Sequence, residues 1–189
     1  MATKSENFET LAVHAGQVPD ATFGAVVPPL YVSSTYAQTT PGDFKKFDYS
    51  RAGNPTRENF EVALAALEGG TKAFAFSSGC AATTTILSQF QAGDHILAGD
   101  DLYGGSRRLM SQVFAHLGLQ FDFVDTRDLS KVESAIKSNT KLIWVETPTN
   151  PTMKLTDLEG LAKLAKAKNI PVDKITFLLN SEIFFSSIE

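Results

Sequence analysis

The chain has a single cysteine, Cys80, among 189 residues. One thiol closes no internal disulfide and builds no multi-cysteine metal site, which fits a reducing compartment and leaves a packed core to hold the fold. Histidine is almost as scarce. His14, His95 and His116 are scattered and suggest neither a metal triad nor a hydrolase dyad, so each reads as a surface or packing residue. Basic charge is not in excess either: 17 Lys and Arg against 21 Asp and Glu give a net charge of -4, with the signs interspersed. That excludes a basic stripe for a nucleic-acid backbone and a basic anchor for a membrane surface. No apolar run approaches the length of a transmembrane helix, and the opening "MATKSENFET" lacks the apolar centre of a secretory signal. The expectation is a cytoplasmic protein with a small-molecule partner, no nucleic acid and no membrane.

What is present is ordinary globular material, 43% hydrophobic and 20% charged, enough to bury a core. From residue 55 onward, helical and extended patterns alternate. Pro55 suits a first helical turn with Asn54 as its cap, and Phe60, Ala63, Leu64 and Leu67 recur at helical spacing until Gly69 and Gly70. "KAFAFSS" reads as a strand, "GCAATTTILSQF" as a helix, "HILAGD" as a strand and "GGSRRLMSQVFAHLG" as a helix. The rhythm continues through "LQFDFVD", "DLSKVESAIKSN", "KLIWVE" and "DLEGLAKLAKAKN". Short connections between such elements predict an α/β layer with a largely parallel sheet. Residues 1–54, with Pro19, Pro28, Pro29 and Pro41 and no sustained period, read as an extended arm that docks on the body or on a partner subunit. The division expected is an arm at 1–54, a layer at 55–172 and a divergent tail at 173–189.

Three loops follow strands on one edge of that sheet. Ser77, Ser78 and Gly79 open a helix, where unpaired N–H groups and the helix dipole suit an anion, although a plain capped helix start uses the same residues. Tyr103, ahead of two glycines, is placed to lie on an aromatic ligand or to pack on its neighbours. Glu146 and Asn150 flank prolines that fix the third loop, for function or as a structural turn. Asp100 and Asp101 lack a third metal ligand and read more simply as loop or capping carboxylates. Together the loops outline a pocket with an anion end, an aromatic face and a polar wall.

The order "YSRAGNPTR", "SSGCAA", "DDLYGGSRR" and "VETPTNPT", with "AVVPPLYVSSTY" ahead of them, resembles the Cys/Met-metabolism enzymes that depend on pyridoxal 5'-phosphate, most of all the cystathionine γ-lyase type. The resemblance runs from about His14 to Ile170. It implies an incomplete large domain of the aspartate aminotransferase type, a PLP-dependent transferase fold with a mostly parallel sheet, helices on both faces and an N-terminal arm. The activity implied is trans-sulfuration: γ-elimination of cystathionine to cysteine, 2-oxobutanoate and ammonia, linking methionine metabolism to cysteine biosynthesis. Cystathionine γ-synthase, β-lyase and methionine γ-lyase share the motifs, so the amino-acid substrate stays open.

By the same resemblance Ser78, Gly79 and Cys80 hold the cofactor phosphate, with Cys80 standing where the family usually has Met or Leu. Tyr103 stacks on the ring and assists proton movement as the catalytic residue. Asn150 lies near the ring's 3-hydroxyl, and Arg108 and Glu146 lie on the substrate side. Tyr49 and Arg51 reach in trans into a neighbouring subunit's site, where a guanidinium fork suits phosphate oxygens, so a homo-oligomer is implied. The alternative for Arg51 is a carboxylate partner in its own subunit.

After Ile170 the resemblance stops. The family continues with "VVVDNTF", whose Asp meets the pyridine nitrogen, and later "SATK", whose Lys forms the Schiff base; here the chain reads "PVDKITFLLNSEIFFSSIE". Asp173 stands two positions early and Lys174 lacks the motif around it. The expectation is a truncated, catalytically incomplete form, or a non-catalytic subunit that pairs with full-length chains.

Overall fold

The computed structural model describes residues 7–178 and 181–186, with side chains as far as Pro171. Contacts divide the chain between Ala75 and Phe76, and the two units are built differently. The first contains α1 (Phe8–His14), a short antiparallel pair β1 (Gln38–Thr40) and β2 (Asp43–Phe44), and α2 (Pro55–Leu67).

Helix α2 begins as its sequence requires. The Asn54 carboxamide accepts from Thr56 N at 2.8 Å and Arg57 N at 3.4 Å, and Pro55 occupies the first turn, where no N–H is missed. The same Asn54 donates to the Tyr31 carbonyl and to Ser50 Oγ, both at 3.0 Å, tying the arm to the helix start. α1 is a helix that the sequence reading left inside an extended arm. It is seven residues long with no side-chain cap, too short for periodicity to speak. Packing helps to hold it: just past its end, at Gly16, a β-carbon would collide with the backbone of Asn59 in α2. By contact, α2 groups with the arm.

The second unit is the layer. It runs α3 (Gly79–Leu87), β3 (His95–Gly99), α4 (Gly104–Arg108), a π-helical continuation (Leu109–Phe114), β4 (Gln120–Val124), α5 (Leu129–Ala135), β5 (Thr140–Glu146), α6 (Leu158–Ala167), β6 (Val172–Leu178) and β7 (Ser181–Ser186). The sheet order is β4-β3-β5-β6-β7, parallel except for the last pair. The two-residue period of the strands sorts the core onto two faces. Ile96, Ala98, Leu142 and Trp144 meet Leu87 of α3 and Met110 and Phe114 of the π-helical segment. Leu97, Ile143 and Val145 meet Val132 of α5 and Leu161 and Ala165 of α6. Helices therefore cover both faces of a mostly parallel sheet, as the alternating pattern predicts.

One predicted strand does not form. Residues 72–78, "KAFAFSS", have no assigned strand, and Phe74 and Phe76 are exposed. An apolar run becomes a strand only by pairing, and no described strand pairs with it. His95 is a packing residue: fully buried at the start of β3, its Nδ1 shares a 2.8 Å hydrogen bond with Thr140 Oγ1. Burial, reinforced by Lys137 nearby, holds its pKa below the usual imidazole value against an opposing contribution from Asp122. Asp173 and Lys174 lie in β6 opposite Trp144 and Val145; their side chains are outside the described ones. No helix among the described residues is long and apolar enough to cross a membrane.

Burial separates the two units in a mutant series. Leu161, fully buried against β5, is expected to cost about 2–5 kcal/mol on substitution by Ala. Phe23, 92% exposed, is expected to cost less than about 0.5 kcal/mol. Urea unfolding of Leu161→Ala and Phe23→Ala checks both values, and similar losses at the two positions would contradict the burial pattern.

Candidate active site

Strands β3 and β5 are parallel neighbours, yet their following helices leave on opposite faces: the helix after β3 packs with Trp144 and α6 packs with Val145. Between them the carboxyl edge of the sheet opens into a crevice, the position where open α/β sheets collect ligands. Two of the three loops singled out from sequence leave this edge after β3 and β5; the first follows no described strand and meets the second through Cys80 beside Gly105.

The first loop ends in Ser78, extended at φ -162° and ψ 158°, whose Oγ accepts from Ala81 N at 3.2 Å. Ser78 is thus the cap of α3 and is exposed, while Gly79 and Cys80 are half-buried. The first N–H groups of a helix have no intrahelical partner, and the dipole makes this end favourable to an anion. The second loop carries Tyr103 directly ahead of α4. A β-carbon on Gly105 would run into the Tyr103 ring and would lie 3.0 Å from Cys80 Sγ. The missing side chain is what lets the starts of α3 and α4 close around the tyrosine.

The third loop is joined to the second by carboxylates. Period two along β5 puts Glu146 on the same face as Leu142 and Trp144, the face of α4. Only 1% of Glu146 is exposed. Its Oε2 accepts from Tyr103 N at 2.8 Å and its Oε1 from Asn150 N at 2.6 Å. Asp101 adds a second cross-link, accepting from Thr149 Oγ1, from Thr152 Oγ1 and from Thr152 N at 3.2 Å. Lys154 Nζ reaches Asp100 at 2.9 Å. The Thr147–Pro148 and Asn150–Pro151 peptides are cis. Hydrogen bonds from Thr149 and Thr152 hold the Asp101 carboxyl below its usual pKa.

Cys80, Tyr103, Glu146 and Asn150 are therefore brought together through Gly105 and the two carboxylate oxygens. Arg108, at the end of α4, is exposed, and no described contact gathers it with them. Its neighbour Arg107 lies over the Phe123 ring, 3.5 Å from the centroid. Tyr49 and Arg51 belong to the first unit, where the Arg51 guanidinium stands 4.9 Å from the Tyr49 ring centroid. No ion pair joins Arg51 to a described carboxylate. The sequence reading missed the tie from Asp101 to Thr149 and Thr152, whose partners lie 48 and 51 residues away and leave no local signal.

A family model described as Cys/Met metabolism PLP-dependent enzyme matches residues 9–178. Among curated relatives, cystathionine β-lyase of Coxiella burnetii is 49% identical over 168 residues, 88% of this chain and 43% of the relative. Human cystathionine γ-lyase is 49% identical over 160 residues, 84% of this chain and 40% of the relative. A probable cystathionine γ-synthase of Herpetosiphon aurantiacus is 48% identical over 163 residues, 86% of this chain and 51% of the relative. Among solved structures, cystathionine γ-lyase from Lactobacillus plantarum complexed with L-serine superposes with a TM-score of 0.83 at 49% identity, covering 88% of this chain and 44% of that one. The chain spans about half the length of the relatives it matches, or less.

The Asp101 cross-link has a defined pH dependence. A carboxyl whose folded pKa is depressed contributes stability that is fully present above the unfolded value, 3.8 here, and is lost as pH falls through the lower folded value. The stability difference between the wild type and Asp101→Asn is expected to be full at neutral pH and to shrink only below about pH 4. Urea unfolding of both proteins across pH 2–6 checks this; a difference independent of pH would remove the carboxylate from the account.

Proposed function

Because the chain belongs to the Cys/Met metabolism PLP-dependent enzymes, we propose that its residues take part in a carbon–sulfur lyase reaction of the cystathionine γ-lyase type. The reaction releases cysteine, 2-oxobutanoate and ammonia in the cytoplasm. The observation that carries this reading is the closure of Cys80 and Tyr103 around side-chain-free Gly105. It leaves a helix start beside an aromatic ring, which fits a planar ring bearing a phosphate.

On this reading the N–H groups at Gly79 and Cys80, with Ser78 in the same turn, bind the phosphate. Each charge-assisted hydrogen bond contributes about 1.5–3 kcal/mol. The Tyr103 ring would stack on the cofactor ring, and its phenol would assist proton movement. Asn150 would stand near the ring's 3-hydroxyl, and Arg108 would lie on the substrate side. Glu146, first placed on the substrate side, uses its oxygens on backbone N–H groups instead. When bound, pyridoxal phosphate supplies the electron sink for carbon–hydrogen and carbon–sulfur cleavage.

Tyr49 and Arg51 are assigned to a second copy's phosphate. Arg57 supports their presentation: its guanidinium donates to the carbonyls of Ser50 at 3.3 Å and Ala52 at 2.9 Å, fixing the turn that carries Arg51. Val26, Val27, Leu30 and Val32 are exposed along the same arm, apolar surface suited to a homo-oligomer contact. The near-equal identities to a β-lyase and a probable γ-synthase support a second reading, β-elimination or replacement at the same site.

Two measurements test the proposal. Equilibrium dialysis of pyridoxal phosphate against the wild type and Arg51→Ala is expected to show about tenfold or greater weakening in the variant. Wild-type affinity should rise with protein concentration, and an affinity independent of self-association would remove the trans assignment. Borohydride reduction with the cofactor present is expected to label no single lysine stoichiometrically. Stoichiometric labelling of Lys174 would overturn non-covalent retention. With cystathionine supplied, the chain alone is expected to release no keto acid; 2-oxobutanoate would overturn the catalytically incomplete reading in favour of γ-cleavage, and pyruvate would do so in favour of the β reading.

A further inference from the structure

Glu146 is a buried carboxylate whose two oxygens serve two different loops. Burial of such a group is costly unless its lone pairs are met. Here each oxygen accepts one backbone N–H, that of Tyr103, which follows β3, and that of Asn150, which follows β5. Those strands diverge into helices on opposite faces, and the described pairing of β3 with β5 ends at Ala98 and Trp144, short of both loops. We propose that Glu146 is a positioning residue that sets the spacing of the two loops, holding Tyr103 and Asn150 at a fixed separation across the crevice. The proposal rests on the cofactor reading above and adds to it a gauge between the ring-stacking side chain and the ring's polar partner.

The chemistry of the carboxylate is specific to the task. The two backbone N–H groups meet different oxygens, so the group between them must accept on both, which a carboxylate does and a carboxamide does not. In Glu146→Gln one oxygen becomes an NH2 group facing an N–H, so one loop is released while side-chain length is kept. In Glu146→Asp the charge is kept, but the shorter arm cannot span both amides. Asp101 crosses the same gap through threonines, so the loops remain linked in either variant and loosening is local. The phosphate end is built by the first turn of α3, which Glu146 does not touch in any described hydrogen bond.

The test uses residue-resolved amide exchange together with two ligands, pyridoxal phosphate and inorganic phosphate. In the wild type the Tyr103 and Asn150 amides are expected to exchange slowly. In Glu146→Gln at least one of them should exchange about tenfold faster or more, the effect of losing one hydrogen bond to a charged group. Pyridoxal phosphate binding should weaken by a similar factor. Inorganic phosphate binding, followed by the Gly79 and Cys80 amide shifts, should stay within about twofold, since a factor that small is under 0.5 kcal/mol. Equal weakening toward both ligands would mean general loosening and would overturn the proposal. So would unchanged exchange at both amides, or unchanged pyridoxal phosphate affinity with altered exchange. A wild type that takes up inorganic phosphate but no pyridoxal phosphate would overturn the cofactor reading and this proposal with it. If Glu146→Gln does not fold, Glu146→Asp takes its place with the same expected split between the ligands.

Discussion

A parallel strand cannot return to its neighbour by a tight turn; each return needs a crossover over the face of the sheet. Everything at the candidate site follows from that constraint. It sends the chain after β3 and after β5 out of the same edge, and the strand order then sends their helices to opposite faces. The gap between the two loops is bridged from the loop after β3, by Asp101, and from the last residue of a strand. Glu146 is that residue for β5. Its parity in the strand, shared with Trp144, aims it at the helix start that carries Tyr103.

The helices and strands were legible where an apolar period or a cap marks them. α2, α3 and the helices and strands from His95 to Ala167 follow from apolar spacing, from Asn54, Ser78, Asp128 and Asp157 as side-chain caps, and from Gly69 and Gly118 at positive φ. Residues 72–78 misled because an apolar alternation states what a segment would bury, not whether a partner strand lies beside it. α1 was missed for the opposite reason, as a short helix held by a partner that its own residues do not announce. At the site, the residue types and loop positions were readable, and the four spaced motifs named the family. The use of Glu146 and Asp101 was not, because both reach backbone or hydroxyl partners more than forty residues away, and no local pattern encodes a meeting set by topology.

The two units spend their apolar residues differently. In the layer the large aliphatic side chains of β3 and β5 are fully buried on both faces, as parallel strands require. In the arm the comparable residues, from Val18 to Val32, are exposed, and order comes from local polar ties such as those of Asn54 and from the Asp20 carboxylate, which accepts from Thr22 N and Phe23 N. One unit buries its large aliphatic side chains among its own described residues. The other offers its hydrophobic surface outward.

The chain's one tryptophan, Trp144, is wholly buried in the central strand two residues before Glu146. All four tyrosines lie elsewhere, three of them at or before residue 49. Nature has thereby given each unit its own optical channel. Indole emission reports the sheet and the root of its carboxyl edge, while tyrosine absorbance is weighted toward the arm. The order in which the two units lose structure can be followed in the unlabelled protein with light alone.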